Sequence, residues 1–196
     1  DTVWRLAGLA GPVAPGHARA ARVLENGQPV AVKHGLDLAA RFHADSAAVL
    51  LEALVEDERV PFLTYHAAHE WSLAVLNVHT FTEADFAEKN EVLLAPRQLG
   101  LLEMPRSWVN SVRGVLSGEA PYRLDAPARV ICQRLDGAGW VLQNHNPEPV
   151  EVRLDAGPEG AFRDVFEGKA LPVENGVAVF SLAPDARKWV SARQPE

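Results

Sequence analysis

Val150-Glu151-Val152-Arg153-Leu154-Asp155 decides the fold. Apolar and charged side chains alternate strictly along it. Successive side chains of a strand point to opposite faces, so this is a strand with one face buried and the other in water. Two more runs share that character nearby, Gly139-Trp140-Val141-Leu142-Gln143-Asn144 and Gly176-Val177-Ala178-Val179-Phe180-Ser181-Leu182. Between them stand Asn146-Pro147-Glu148-Pro149, Gly157-Pro158-Glu159-Gly160 and Glu174-Asn175-Gly176, the punctuation of short antiparallel strands. The spacing predicts a small antiparallel β-sandwich over residues 121–196.

Working outward, the first half is also strand-rich. Residues 20–24 and 29–33 flank Asn26-Gly27, a strong hairpin signal because both residues tolerate positive φ. Residues 47–55 fit a strand or a short helix, with strand preferred because Glu56-Asp57-Glu58-Arg59 then makes a polar turn into Val60, and residues 60–66 and 73–80 read as strands around a turn near His69 and Glu70. The character then changes. Thr82 and Asp85 suggest a capped helical turn over residues 83–89. Ser107 is expected to cap a helix over residues 108–116 that stops at Gly118, with Trp108, Val109, Val112, Val115 and Leu116 on one stripe. Residues 121–127 read as a linker. The expected fold is therefore mainly β: a β-rich mixed N-terminal part, residues 1–118 with a terminal helix, followed by the C-terminal sandwich, residues 121–196.

Composition bounds the function. The chain has 196 residues and a net charge of −7, with Lys and Arg scattered, which argues against nucleic acid and anionic membrane surfaces as partners. No apolar run reaches the roughly 20 residues of a membrane-spanning helix, and the opening residues lack a signal-peptide pattern. The single cysteine, Cys132, lies in an apolar strand over residues 128–133, so no internal disulfide forms, and the compartment stays open, leaning to the cytoplasm. A chain opening at Asp1 without Met is expected of a processed product or a cloned fragment.

Residues 128–190 resemble the small C-terminal β-domain of bacterial glycoside hydrolases, especially the trimeric β-galactosidases of glycoside hydrolase family 42. The resemblance rests on Gly139-Trp140-Val141-Leu142-Gln143-Asn144-His145-Asn146, the strand at residues 150–154, Asp164-Val165-Phe166-Glu167-Gly168-Lys169 and Leu182-Ala183-Pro184, in that order. Leu73-Ala74-Val75-Leu76-Asn77-Val78-His79-Thr80-Phe81 is similar to the last strand of the amidotransferase-like domain that precedes the β-domain there and helps those enzymes trimerise. The strand-rich stretch before it departs from a complete domain of that kind. The resemblance implies a catalytic barrel upstream of this chain, and a scaffolding and assembly role within bacterial carbohydrate metabolism for the chain itself.

Three function classes follow. The first is that non-catalytic accessory and assembly region, with an upstream catalytic domain or other subunits as partners, no catalytic residue and no cofactor. No serine sits in a Gly-x-Ser-x-Gly elbow, and Glu56 to Glu58 read as a solvated turn rather than a glycosidase carboxylate pair. The second is a carbohydrate-binding module contacting glycan through Trp71, Trp140, Asn144, His145 and Asn146, since sugars stack on aromatic faces beside amide hydrogen-bonding groups. The third is a small metal-dependent enzyme using His66, His69 and His79, whose spacing a metal can use only if the three imidazoles converge. Core packing is the competing reading for Trp140, Trp189 and Trp108, and a surface turn for the histidines. Trp71, between Glu70 and Ser72, is the tryptophan expected to be exposed.

Overall fold

The structure, a computed structural model, describes residues 2–79, 103–118, 122–155 and 161–192. The protein is mainly β: the described residues form three antiparallel sheets and two helices. They divide into two compact units, Asp1–Met104 and Pro105–Glu196. The expected helical turn at residues 83–89 lies outside the described residues.

In the first unit, helix α1 (Thr2–Leu6) precedes β1 (Leu9–Glu25), β2 (Gln28–Ala44), β3 (Ala48–Val55), β4 (Glu58–Ala67) and β5 (Ser72–Leu76), in the sheet order β2-β1-β3-β4-β5. Asn26 (φ 51°) and Gly27 (φ 77°) close the β1–β2 hairpin between the paired residues Glu25 and Gln28. Two consecutive positive φ values make the turn whose twist matches its strands. The hairpin is much longer than the sequence suggested, because its alternation is interrupted by register shifts. The widest sets residues 32–35 of β2 against Ala21 alone, between the pairs Ala20–Leu36 and Arg22–Ala31. Gly35 sits in that bulge with φ 69°, where a Cβ would lie 3.0 Å from Arg19 Nε and 3.2 Å from Ala20 O.

The sheet rolls until β2 and β4 come within reach of one side chain. Asn77, only 2% exposed, receives hydrogen bonds from the amides of Ala39 (3.0 Å) and Ala40 (3.2 Å) at Oδ1 and donates through Nδ2 to the carbonyls of Ala40 and Pro61 (2.9 Å each). Its own amide donates to Phe62 O, and the His79 amide donates to Asp37 O. Residues 77–79 thus run from the β5 end across to β2. Inside lie Leu36, Leu38, Ala40 and Phe42 of β2, with Val23, Ala53, Val60 and Phe62 from the other strands. In β4 five residues in succession, Val60 to Thr64, are buried. Such a strand is covered on both faces and carries no period-2 signal.

The second unit starts with helix α2 (Arg106–Ser117) and continues through β6 (Arg123–Asp125), β7 (Val130–Leu135), β8 (Gly139–Asn144), β9 (Val150–Asp155), β10 (Arg163–Asp164), β11 (Lys169–Ala170), β12 (Val173–Glu174), β13 (Val177–Leu182) and β14 (Arg187–Ser191). A five-stranded sheet, β11-β10-β14-β8-β7, and a four-stranded sheet, β12-β13-β9-β6, enclose one core. Val150, Val152 and Leu154 face it while Glu151 and Arg153 are exposed, as the opening stretch predicts. They meet Trp140 and Leu142 of β8, Ala178, Phe180 and Leu182 of β13, and Val190 of β14. Burying each Val or Leu side chain contributes about 1.5–3 kcal/mol.

Three expectations change. The stretch read as a linker contains β6, paired through Leu124 with Leu154. Ser107 is not the cap: helix α2 begins two residues earlier than expected, at Arg106 after Pro105, with no side-chain capping bond. The division falls at Met104/Pro105 rather than near residues 118–121, so α2 goes with the sandwich. The reason is polar lacing that apolar periodicity cannot reveal. Arg106 bonds Asp125 (Nε to Oδ1, 2.6 Å), Asn110 bonds the same carboxylate and the Ala126 amide, and Arg113 donates to the carbonyls of Ala126, Pro127 and Val130.

Candidate functional site

The first surface grows from the β4–β5 hairpin. The turn at residues 68–71 closes with the Ala68 amide donating to Trp71 O (2.8 Å), and the pairing then runs from Ala67–Ser72 to Leu63–Leu76. Among the described residues β5 has β4 as its one neighbour in the sheet order. Its Leu73 and Leu76 are 37% and 41% exposed, and Trp71 in the turn is 42% exposed, as expected for that residue. Tyr65 of β4 adds a further exposed ring. A short apolar strand at the end of a sheet, with large side chains in water, is a template for further pairing or burial.

The three histidines are not brought together. The His66 ring lies 5.6 Å from that of Trp71, with Nδ1 turned toward Gly8, whose Cβ would stand 2.7 Å from it. His69 is exposed in the turn. His79 packs edge-on against His17, ring centroids 3.7 Å apart, beside β2. Among the described residues no group of three or more His, Cys, Asp or Glu side chains is placed to hold a metal ion.

Trp140, Asn144 and Asn146 of the sandwich are placed for architecture. Trp140 is 8% exposed between Tyr122 and Phe162, at centroid distances of 6.0 and 6.5 Å. Its Nε1 hydrogen has no acceptor among the described residues. Asn144 is fully buried, and its amide is engaged on both sides. Nδ2 donates to the carbonyls of Glu148, Leu182 and Ala183 at 2.9–3.1 Å, while Oδ1 accepts from the amide and side chain of Asn146. Asn146 also donates to Ala128 O, and the His145 amide donates to Arg129 O. The cluster thus ties the β8–β9 connection to the chain after β13 and to the turn before β7, and its amides have little left for a ligand. Burial pushes the Cys132 thiol up to about 11, opposed by the nearby Arg113 guanidinium, so it stays protonated and unreactive at neutral pH.

Sequence reasoning missed one constructed feature, the turn after β10. Asp164, nearly inaccessible, accepts from the backbone amides of Phe166 (3.0 Å) and Glu167 (3.2 Å) and pairs with the largely buried Lys188 ammonium. Burial alone would raise its pKa, but the Lys188 hydrogen bond and charge and the two amides hold it below the usual carboxylate value. The turn places Phe166, 65% exposed, edge-on to Trp189 with ring centroids 6.0 Å apart. Its only sequence signal was an Asp three residues before a Glu-Gly turn.

No family model matches this chain, and no curated protein matches it. Among solved structures it is similar to Gan42B, a GH42 β-galactosidase, at 14% sequence identity and a TM-score of 0.40 over 96% of this chain. That is a distant structural resemblance. The chain spans about a quarter (24%) of the length of that enzyme. No helix among the described residues is long and apolar enough to cross a membrane.

Proposed function

We propose that the chain is a non-catalytic accessory and assembly region of a glycoside hydrolase-like enzyme, joined through its first unit to other subunits or to a catalytic domain. The observation that carries this reading is the apolar end of the first sheet, where Tyr65, Trp71, Leu73 and Leu76 are each more than a third exposed beside a strand with one neighbour among the described residues. An edge with large apolar side chains in water is a template for association, and burial against a partner removes that exposure. The glycoside hydrolase context comes from the sequence resemblance over residues 128–190. In the sandwich the cysteine is held protonated and the central asparagine is engaged in backbone ties, which fits a scaffolding use of these two residues.

The test is the mass of the whole chain by light scattering during size exclusion. The wild type should exceed one subunit at micromolar concentration, and a Leu73→Lys, Leu76→Glu variant should return to one subunit with unchanged circular dichroism. A monomeric wild type sinks the self-assembly part and leaves an interface to a catalytic domain as the role of that edge. Aryl glycosides should not be hydrolysed; turnover abolished by changing a single acidic residue, with the fold intact, contradicts the non-catalytic part.

A further inference from the structure

The two outer faces of the sandwich handle their arginines differently. On the four-stranded sheet Arg153 pairs with Glu151 at 3.0 Å, amid Asp125 and Asp155 on the adjoining register positions. On the five-stranded sheet, Arg187 lies two residues before Trp189 on β14. Arg163 lies opposite Ser191, two residues after it. Residues at these positions share a face, so the two guanidinium groups flank the Trp189 indole, each displaced about 7 Å along the strand at 3.4 Å per residue. Neither pairs with a carboxylate among the described residues. Arg187 donates to Gln143 Oε1 (3.0 Å) and Arg163 to Gly168 O (2.9 Å), both neutral acceptors.

The aromatic centre between them is rigid. Trp189 is half-buried and its Nε1 donates to Ala138 O (2.9 Å), which fixes the indole across β8. Phe166 meets it at 71°, held by the turn that Asp164 and Lys188 lock. A buried ion pair is thus spent on fixing a turn whose tip exposes a phenyl ring to water. The result is a floor and a wall of aromatic carbon, flanked by cations and an amide.

We propose that this face is a binding platform for an acidic oligosaccharide, with an apolar pyranose face stacked in the corner of Trp189 and Phe166 and uronate carboxylates reaching Arg163 and Arg187. A sugar ring carries an apolar face and a hydroxyl edge, which suits an aromatic floor beside the Gln143 amide. A carboxylate suits the planar fork of arginine, which neutral sugars leave unused. The occupant is set by charge: two cations without acidic partners among the described residues call for anions, and both sit beside the stacking surface. This site shares no residue with the β4–β5 edge and is independent of the assembly reading.

The experiment titrates the whole chain with hexagalacturonate, its fully methyl-esterified form and poly-glutamate, followed by calorimetry and tryptophan fluorescence. Hexagalacturonate should bind in the sub-millimolar range and the neutral ester about tenfold more weakly, the loss of its charge-assisted bonds. Arg163→Gln with Arg187→Gln should erase the difference between acid and ester. Phe166→Ala should weaken both about fivefold or more, as expected for a lost aromatic contact, with an unchanged unfolding midpoint because the ring is mostly in water. No binding at millimolar hexagalacturonate, or binding indifferent to Phe166→Ala, overturns the proposal. Poly-glutamate binding as tightly as hexagalacturonate, with the same dependence on Phe166, overturns the glycan assignment in favour of an acidic polypeptide.

Discussion

Each unit is tied by one buried asparagine, yet the two are stabilised differently. In the first, Asn77 bridges β2 and β4 of a single sheet rolled onto itself, so a side-chain amide supplies bonds that a ladder would otherwise make. In the second, Asn144 ties connections at the margin of two sheets whose interior is apolar. Closure of the first sheet therefore leans on hydrogen bonds, and the sandwich on buried hydrocarbon. Removing a partner from a buried polar network strands every group it satisfied, whereas shortening a core side chain costs hydrocarbon contact alone.

The sharpest break between them is Asn77→Ala, which leaves two amides and two carbonyls without their partner. It should cost the first unit about 4 kcal/mol in urea unfolding, at the upper end for single substitutions. A loss below about 1 kcal/mol is incompatible with closure through that side chain. Next is Leu154→Ala in the sandwich, expected to cost about 2–4 kcal/mol. Arg153→Ala, one residue earlier on the water face, should leave the unfolding midpoint unchanged; equal effects would mean that the β9 register is wrong.

A smaller effect concerns Asp164. Its carboxyl titrates lower in the folded protein than the ordinary value of 3.8. Its contribution is therefore fully present above that pH and is lost as the pH falls through the folded value. Asp164→Asn should flatten the acid end of the stability profile of the sandwich and weaken it at neutral pH by about 1–3 kcal/mol, because Lys188 loses its partner. A variant with the wild-type acid limb removes the pair from the account. The least effect is on Cys132: with its thiol near 11, alkylation of the folded chain at pH 8 should run on the order of 100-fold slower than in urea.

What the sequence disclosed follows the same contrast. β9 was legible from its alternation because one face meets water, and Asn26-Gly27 and Asn175-Gly176 announced their turns because each places both residues at positive φ. The length of the β1–β2 hairpin was hidden by its bulges, and the two-sided burial of β4 by the missing alternation. Strand β6 was masked by Pro121 and Pro127 on either side of three residues. Trp71 was legible as an exposed aromatic, since acidic and small polar neighbours mark a turn. The Phe166–Trp189 pair was not, because 23 residues separate its members and the β10–β14 pairing brings them together.

Amide hydrogen exchange along Ser72–Leu76, measured on the whole chain from nanomolar to high micromolar concentration, tests the assembly role most directly. If the β4–β5 edge is where copies of this chain meet, protection of those amides should rise with concentration while β9 exchange stays constant, and the Leu73→Lys, Leu76→Glu variant should show no such rise. Exchange at β5 that is fast and independent of concentration would contradict assembly through that edge.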